Sequence, residues 1–250
     1  MNKPGYDTEF LETFANFSPT NGQYQEIKKH FPDIKLVGVE NEKGTYDILD
    51  PSDLKDDDQI NLYWDIKFFE KTLWLPDENF CSRLDNYIPK NETQQDLLDA
   101  VYHLLDLDKG SAGLLISGEV STGKTHCSVG ASKELMKKRS NTFYFMTEDH
   151  FYFNKKISFE PDSIFILDDL NNPYSFFKDR FLEIVQFVHD KGGRIFVTTN
   201  KEPDSFLKNA LAINDNKERI LDRMKGLFYV LEIEGQSERT SKTWYEALEQ

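Results

Sequence analysis

Short apolar runs alternating with helical patterns predict an α/β fold, a parallel sheet covered by helices on both faces. Three runs carry that prediction: residues 113–117, 163–167 and 194–198. Each is continuously apolar or nearly so, as strands buried on both faces must be, and each ends in small or polar residues that can turn the chain.

Taken in order, the elements divide the chain in two. Residues 1–80 read as a small acidic α+β region suited to a protein partner, and residues 81–250 as the main α/β domain. In the first region, residues 35–39 and 45–49 are strand-like and are separated by the turn-prone Asn41-Glu42-Lys43-Gly44. Residues 51–58, with the run Asp56-Asp57-Asp58, read as a solvated loop. An aromatic and aliphatic stretch follows at 61–69, then a short one at 72–75. In the second region, Leu97, Leu98, Val101, Leu104 and Leu105 fall at helical spacing across 91–107, with Asn91 or Thr93 as N-cap. A strand at 113–117, a helix to about residue 139 and a strand at 142–146 come next. The strand at 163–167 precedes a helix over 176–191, which Gly192-Gly193 stops. Strands at 194–198 and 227–233 complete the pattern.

Composition narrows the function. The chain has 30 Lys and Arg against 44 Asp and Glu, a net charge of −14, and residues 1–85 hold nine of the former against eighteen of the latter. Such a balance argues against a general nucleic-acid sleeve, which needs clustered cations. Lys133, Lys137, Lys138 and Arg139 would have to lie on one face for DNA to be held. Two cysteines, Cys81 and Cys127, are too few for a disulfide framework or a structural zinc site. The first ten residues have no basic-then-apolar leader, and no apolar run approaches the ~18 residues of a membrane span. The reading is a cytoplasmic protein with no membrane partner.

The chemistry lies in four places. Gly118-Glu119-Val120-Ser121-Thr122-Gly123-Lys124-Thr125 fulfils the phosphate-loop pattern GxxxxGK[ST], between a predicted strand and a predicted helix. Its glycines let backbone N–H groups curl around phosphate oxygens at a helix N-terminus. Lys124 then serves the β- and γ-phosphates of ATP and the Thr125 hydroxyl serves Mg²⁺, with His126 the next residue of the nucleotide-binding set. Asp168 and Asp169 close the apolar strand at 163–167, where packing explains no pair of acids. Asp168 is the candidate Mg²⁺ ligand and Asp169 the residue that orients or deprotonates the attacking water; two solvated acids in a turn is the plain alternative. Asn200 ends the next strand, at the carboxyl edge where ligands collect, and could hold that water. Arg219 and Arg223 stand four apart in Glu218-Arg219-Ile220-Leu221-Asp222-Arg223-Met224, either as surface ion pairs or with Arg223 as a finger offered to a neighbouring subunit.

In this order the elements resemble the AAA+ ATPases of the bacterial helicase-loader and transposition-helper group (DnaC, DnaI and IstB). The resemblance spans about residues 84–245. It begins at Leu84-Asp85-Asn86-Tyr87 and Gln94 and runs through the phosphate loop, Asp168-Asp169, Thr199-Asn200 and the Arg223 segment. The group implies an AAA+ P-loop fold without a full helical lid, since few residues follow Ile233. It also implies Asn200 as sensor, Arg223 as trans finger and Arg239, in Gly235-Gln236-Ser237-Glu238-Arg239, as a nucleotide sensor. By resemblance, the protein is an ATPase of slow turnover that assembles with ATP at a subunit or client interface. Its client would be a protein, with a replicative helicase the foremost candidate. The other readings are a DNA-transposition helper and a scaffold that only binds nucleotide.

Overall fold

The computed structural model describes residues 8–34, 36–41, 44–49, 55–107, 110–138, 141–153, 158–171, 175–211 and 217–235. At its centre a six-stranded sheet runs β3 (Thr72–Leu73), β5 (Phe143–Met146), β6 (Ile164–Leu167), β7 (Gly193–Thr199), β4 (Ser111–Gly118) and β8 (Phe228–Ile233). Every pairing in it is parallel. β6 and β7 align Leu167 with Val197, and β7 and β4 align Thr199 with Ser117. That register brings the residues following β4, β6 and β7 to one end of the sheet.

Alternation assigns the two faces. Leu114, Ile116, Phe145, Ile164 and Ile166 pack beneath α3 (Asp56–Lys71), α4 (Glu92–Leu105) and α5 (Lys124–Lys138). Leu115, Met146, Phe165, Ile195 and Val197 face α7 (Ser175–Lys191), α8 (Pro203–Leu211) and α9 (Lys217–Leu227). Burial of these apolar faces is the main favourable term in folding. Asn91 caps α4, its Oδ1 accepting from the Gln94 N–H at 2.9 Å.

The acidic N-terminal region contains α1 (Thr8–Asn16), α2 (Asn21–His30) and an antiparallel hairpin of β1 (Leu36–Asn41) and β2 (Gly44–Leu49). Its core joins Phe10, Phe14, Ile27 and Phe31 to Leu62 and Ile66 of α3 and to Phe80. α3 also reaches the main core, where Phe68 meets Phe143 edge-on at 5.1 Å. The sheet therefore takes a strand and a covering helix from residues before 81. Asp56-Asp57-Asp58, expected in a loop, form the first turn of α3, where carboxylates complement the positive end of the helix dipole. The preceding residues 51–54 lie outside the described residues.

Among the described residues between β5 and β6, the one helix is the six-residue α6 (Glu148–Phe153). No helix among the described residues is long and apolar enough to cross a membrane.

Candidate functional site

The segment Gly118–Thr125 leaves the end of β4 as a tight loop and enters α5 at Lys124. Two glycine positions depend on glycine. Gly118 has φ 148° and a Cβ there would sit 2.2 Å from Ile233 O; Gly123 has φ 89° and its Cβ would strike the Tyr87 ring. Ser121 adopts φ 65°, and its hydroxyl is buried without a hydrogen-bond partner among the described residues. Left-handed backbone at a non-glycine residue marks stored strain of the kind found at ligand sites.

Lys124 turns back over its own loop. Its Nζ donates to Gly118 O at 2.8 Å, to Glu119 O at 2.6 Å and to Asn200 Oδ1 at 3.1 Å. Burial lowers its pKa, against the pull of the nearby Asp169 and Asp168. Thr125 Oγ1 donates to Asp168 Oδ1 at 2.7 Å, and Thr198 Oγ1 donates to the same oxygen at 2.7 Å. Burial raises the Asp168 pKa, while the two hydroxyls hold it down. Asp169 has φ 55°; its Oδ1 accepts from Asn200 Nδ2 at 3.0 Å and from Asn171 Nδ2 at 2.5 Å. Lys124, Thr125, Asp168, Asp169 and Asn200 thus form one hydrogen-bonded cluster, although they come from three separate segments.

On the other side of the loop lies a cavity of about 300 Å³ lined by Asn86, Tyr87, Gln94, Thr122, Gly123 and His126, among others. The Tyr87 hydroxyl and Gln94 Nε2 reach Thr122 O at 3.5 and 3.4 Å. His126 Nε2 lies 2.8 Å from both Arg83 O and Asn86 Oδ1. Both partners are acceptors, so Nε2 carries the proton. Burial lowers the His126 pKa, against the hydrogen bond to the Arg83 carbonyl. This wall comes from residues 84–94, where the resemblance to the helicase-loader group begins.

Arg223 is placed elsewhere. It lies on α9 just before β8, and its Nη2 is 3.7 Å from Asp190 Oδ1 at the end of α7. Those are the amino ends of the strands, whereas the phosphate loop leaves the carboxyl end of β4. β4 alone spans roughly 23 Å, so Arg223 cannot reach the loop of its own chain. Arg239 lies outside the described residues. The basic stripe on α5 that DNA binding would require is not formed by its described members. Lys133 is buried against Asp65, Lys137 pairs with Glu134 at 2.6 Å, and Lys138 Nζ donates to Leu105 O at 3.0 Å. Arg139 too is outside the described residues.

Sequence reasoning did not single out Asn171 or Glu148. Asn171 Oδ1 accepts from the Asn200 N–H at 2.7 Å, and the Asn171 N–H donates to Glu148 Oε1 at 2.5 Å. The one available signal was a polar residue just past the tip of the Asp168 strand.

No protein-family model matches the sequence, and no curated protein matches it. Solved structures do. The chain is similar to the crystal structure of DnaI (TM-score 0.55, 20% identity), covering 68% of this chain and 96% of that one. It is also similar to the crystal structure of the DnaC helicase loader (TM-score 0.50, 21% identity), covering 62% of this chain and 98% of that one. At such identities the likeness concerns architecture: this chain shares the fold of the DnaI structure and of the DnaC helicase loader structure.

Proposed function

We propose that this chain binds ATP with Mg²⁺ at Gly118–Thr125 and acts as a slow ATPase adaptor on a protein client, a replicative helicase. The observation that carries the reading is the 2.7 Å contact between Thr125 Oγ1 and Asp168 Oδ1, inside a cluster that also holds Lys124, Asp169 and Asn200. These residues fit the group. A buried unpartnered hydroxyl on Ser121, left-handed backbone around it and a lysine resting on its own loop's carbonyls form a cradle for a triphosphate. A hydroxyl beside a carboxylate suits a hard divalent cation. Bound Mg²⁺ would neutralise charge on the β- and γ-phosphates.

The chain's own residues would do the rest. Lys124 binds the terminal phosphates, and Thr125 and Asp168 hold the cation. Asp169 orients the attacking water and takes its proton, and Asn200 fixes both that water and the Asp169 carboxylate. Tyr87, Gln94 and His126 take the base side, with Arg239 as a further nucleotide contact. Arg223 completes hydrolysis on a neighbouring copy, because it is too far from its own loop. Assembly therefore places ATP at an interface between copies or with the client, in the cytoplasm. The helicase is inferred from similarity to helicase-loader structures and from the acidic N-terminal region. The DNA-helper reading loses support with Lys133 buried.

The test is co-elution of the purified chain with the host's replicative helicase, with and without a non-hydrolysable ATP analogue. A complex that needs nucleotide and is lost in Lys124→Ala supports the proposal. ATP binding without any helicase complex would retain the nucleotide site and refute the client.

A further inference from the structure

A buried ionic knot links the N-terminal helices to the wall of the nucleotide cavity. Asp65 of α3 has no solvent exposure, and Lys133 of α5 is 1% exposed. Lys133 Nζ donates to Asp65 Oδ1 at 2.5 Å and to Phe80 O at 2.6 Å. Arg83 Nη1 donates to the other carboxylate oxygen, Asp65 Oδ2, at 2.6 Å. The Arg83 guanidinium also donates through Nε to Asp85 at 3.0 Å and lies over the Phe31 ring at 5.4 Å. Asp65 thus divides its two oxygens between two cations that belong to different parts of the chain.

From Arg83 the contacts run on to the cavity. Its N–H donates to Asn86 Oδ1 at 3.0 Å, and its carbonyl accepts from His126 Nε2 at 2.8 Å. Asn86 and His126 both line the cavity, and His126 directly follows Thr125. Asn86 Nδ2 donates to Cys81 O at 2.9 Å, which fixes its amide in this sense. Removing three charges from water is costly, and an apolar trio of the same volume is often as stable or more so. Stability alone is a poor reason for the knot, whereas a fixed geometry for residue 83 is a specific gain.

We propose that Asp65 is a positioning residue for nucleotide recognition: it anchors Arg83, and through Arg83 and Asn86 it sets the His126 wall of the base pocket. The proposal rests on the nucleotide reading above. Asp65 then has two separable roles. Its bond to Lys133 seams α3 to α5, and its bond to Arg83 shapes the base side. The side chains of Lys124 and Thr125 bond elsewhere, to Gly118 O, Glu119 O, Asn200 and Asp168, so their grip on a triphosphate does not run through Asp65.

The experiment compares binding of ATP and of inorganic tripolyphosphate, each with Mg²⁺, by calorimetry on the full chain at a temperature where all variants are folded. The variants are Asp65→Asn and the neutral pair Asp65→Asn with Lys133→Met; Lys124→Ala is the control. Loss of a charge-assisted hydrogen bond at Arg83 predicts about tenfold weaker ATP binding in both. Tripolyphosphate binding should stay within about twofold, because the phosphate cradle is untouched. The pair should melt higher than the single variant, having no unpaired buried lysine. Where the single variant fails to fold, the pair alone carries the comparison. Recovery of ATP affinity in the pair, or equal losses for both ligands, would overturn the proposal and leave Asp65 as a purely structural anion. Wild-type and Lys124→Ala chains that bind ATP equally poorly would instead overturn the nucleotide reading itself, and the proposal with it.

Discussion

Asp169 sits in a left-handed conformation that disfavours an ordinary side chain, and two asparagines direct its carboxylate. A residue that only filled a turn would gain nothing from that strain. With Asp169 as general base, Asp169→Asn lowers phosphate release by about 10²-fold or more while ATP affinity stays close to wild type. Steady-state release and equilibrium binding measured on the same sample decide it; unchanged release would favour a chain that only holds nucleotide. The phosphate loop was legible as a pattern because its residues are contiguous, with four of the eight positions fixed in type. Asn171, Glu148 and the Thr198 contact to Asp168 were not, since they meet only when β5, β6 and β7 lie side by side. Burial also explains the cysteines. It pushes the Cys81 thiol up and the Cys127 thiol up to about 12, so neither is a nucleophile in the folded chain.

Helix α4 shows how one element serves both stability and site. Asn91 caps it, and Asn91 Nδ2 donates to Glu234 O at 2.7 Å, tying the helix start to the end of β8. Asn91→Ala should cost roughly 1 kcal/mol from the cap alone, read as a lower urea midpoint with unchanged slope. The periodicity at Leu97, Val101, Leu104 and Leu105 made α4 readable, because one stripe faces a single core. α3 was harder. It packs against the N-terminal core through Leu62 and Ile66 and against the sheet through Phe68, so its apolar residues wrap more than one face and blur the period. Phe10, Phe14 and Phe17 of the first helical region do stand at helical intervals; their signal was diluted by the polar residues between them.

For the whole molecule, the proposed trans role of Arg223, which lies far from its own phosphate loop, would make hydrolysis a property of pairs. Turnover per chain should rise with protein concentration and flatten once copies associate, and Arg223→Ala should abolish the rise while ATP binding remains. Dilution series of phosphate release check this, and a rate per chain independent of concentration would remove the trans role. Acid should loosen the fold at the join between α2 and the main domain. Burial, with Arg83 and Lys29 nearby, lowers the His30 pKa from 6.5 to about 4. The unfolded chain therefore takes up this proton first, so stability is full above about pH 6.5 and declines as pH falls toward 4. A melting series over that window should show a shallower decline in His30→Gln. Strand order has a consequence for synthesis. β4 carries the phosphate loop, yet its neighbours β7 and β8 begin only at Gly193 and Phe228. A chain leaving the ribosome can assemble its N-terminal helices early, but the loop strand waits for β7 on one side and β8 on the other. The proposed nucleotide site is therefore framed only after β7 and β8 have paired with β4.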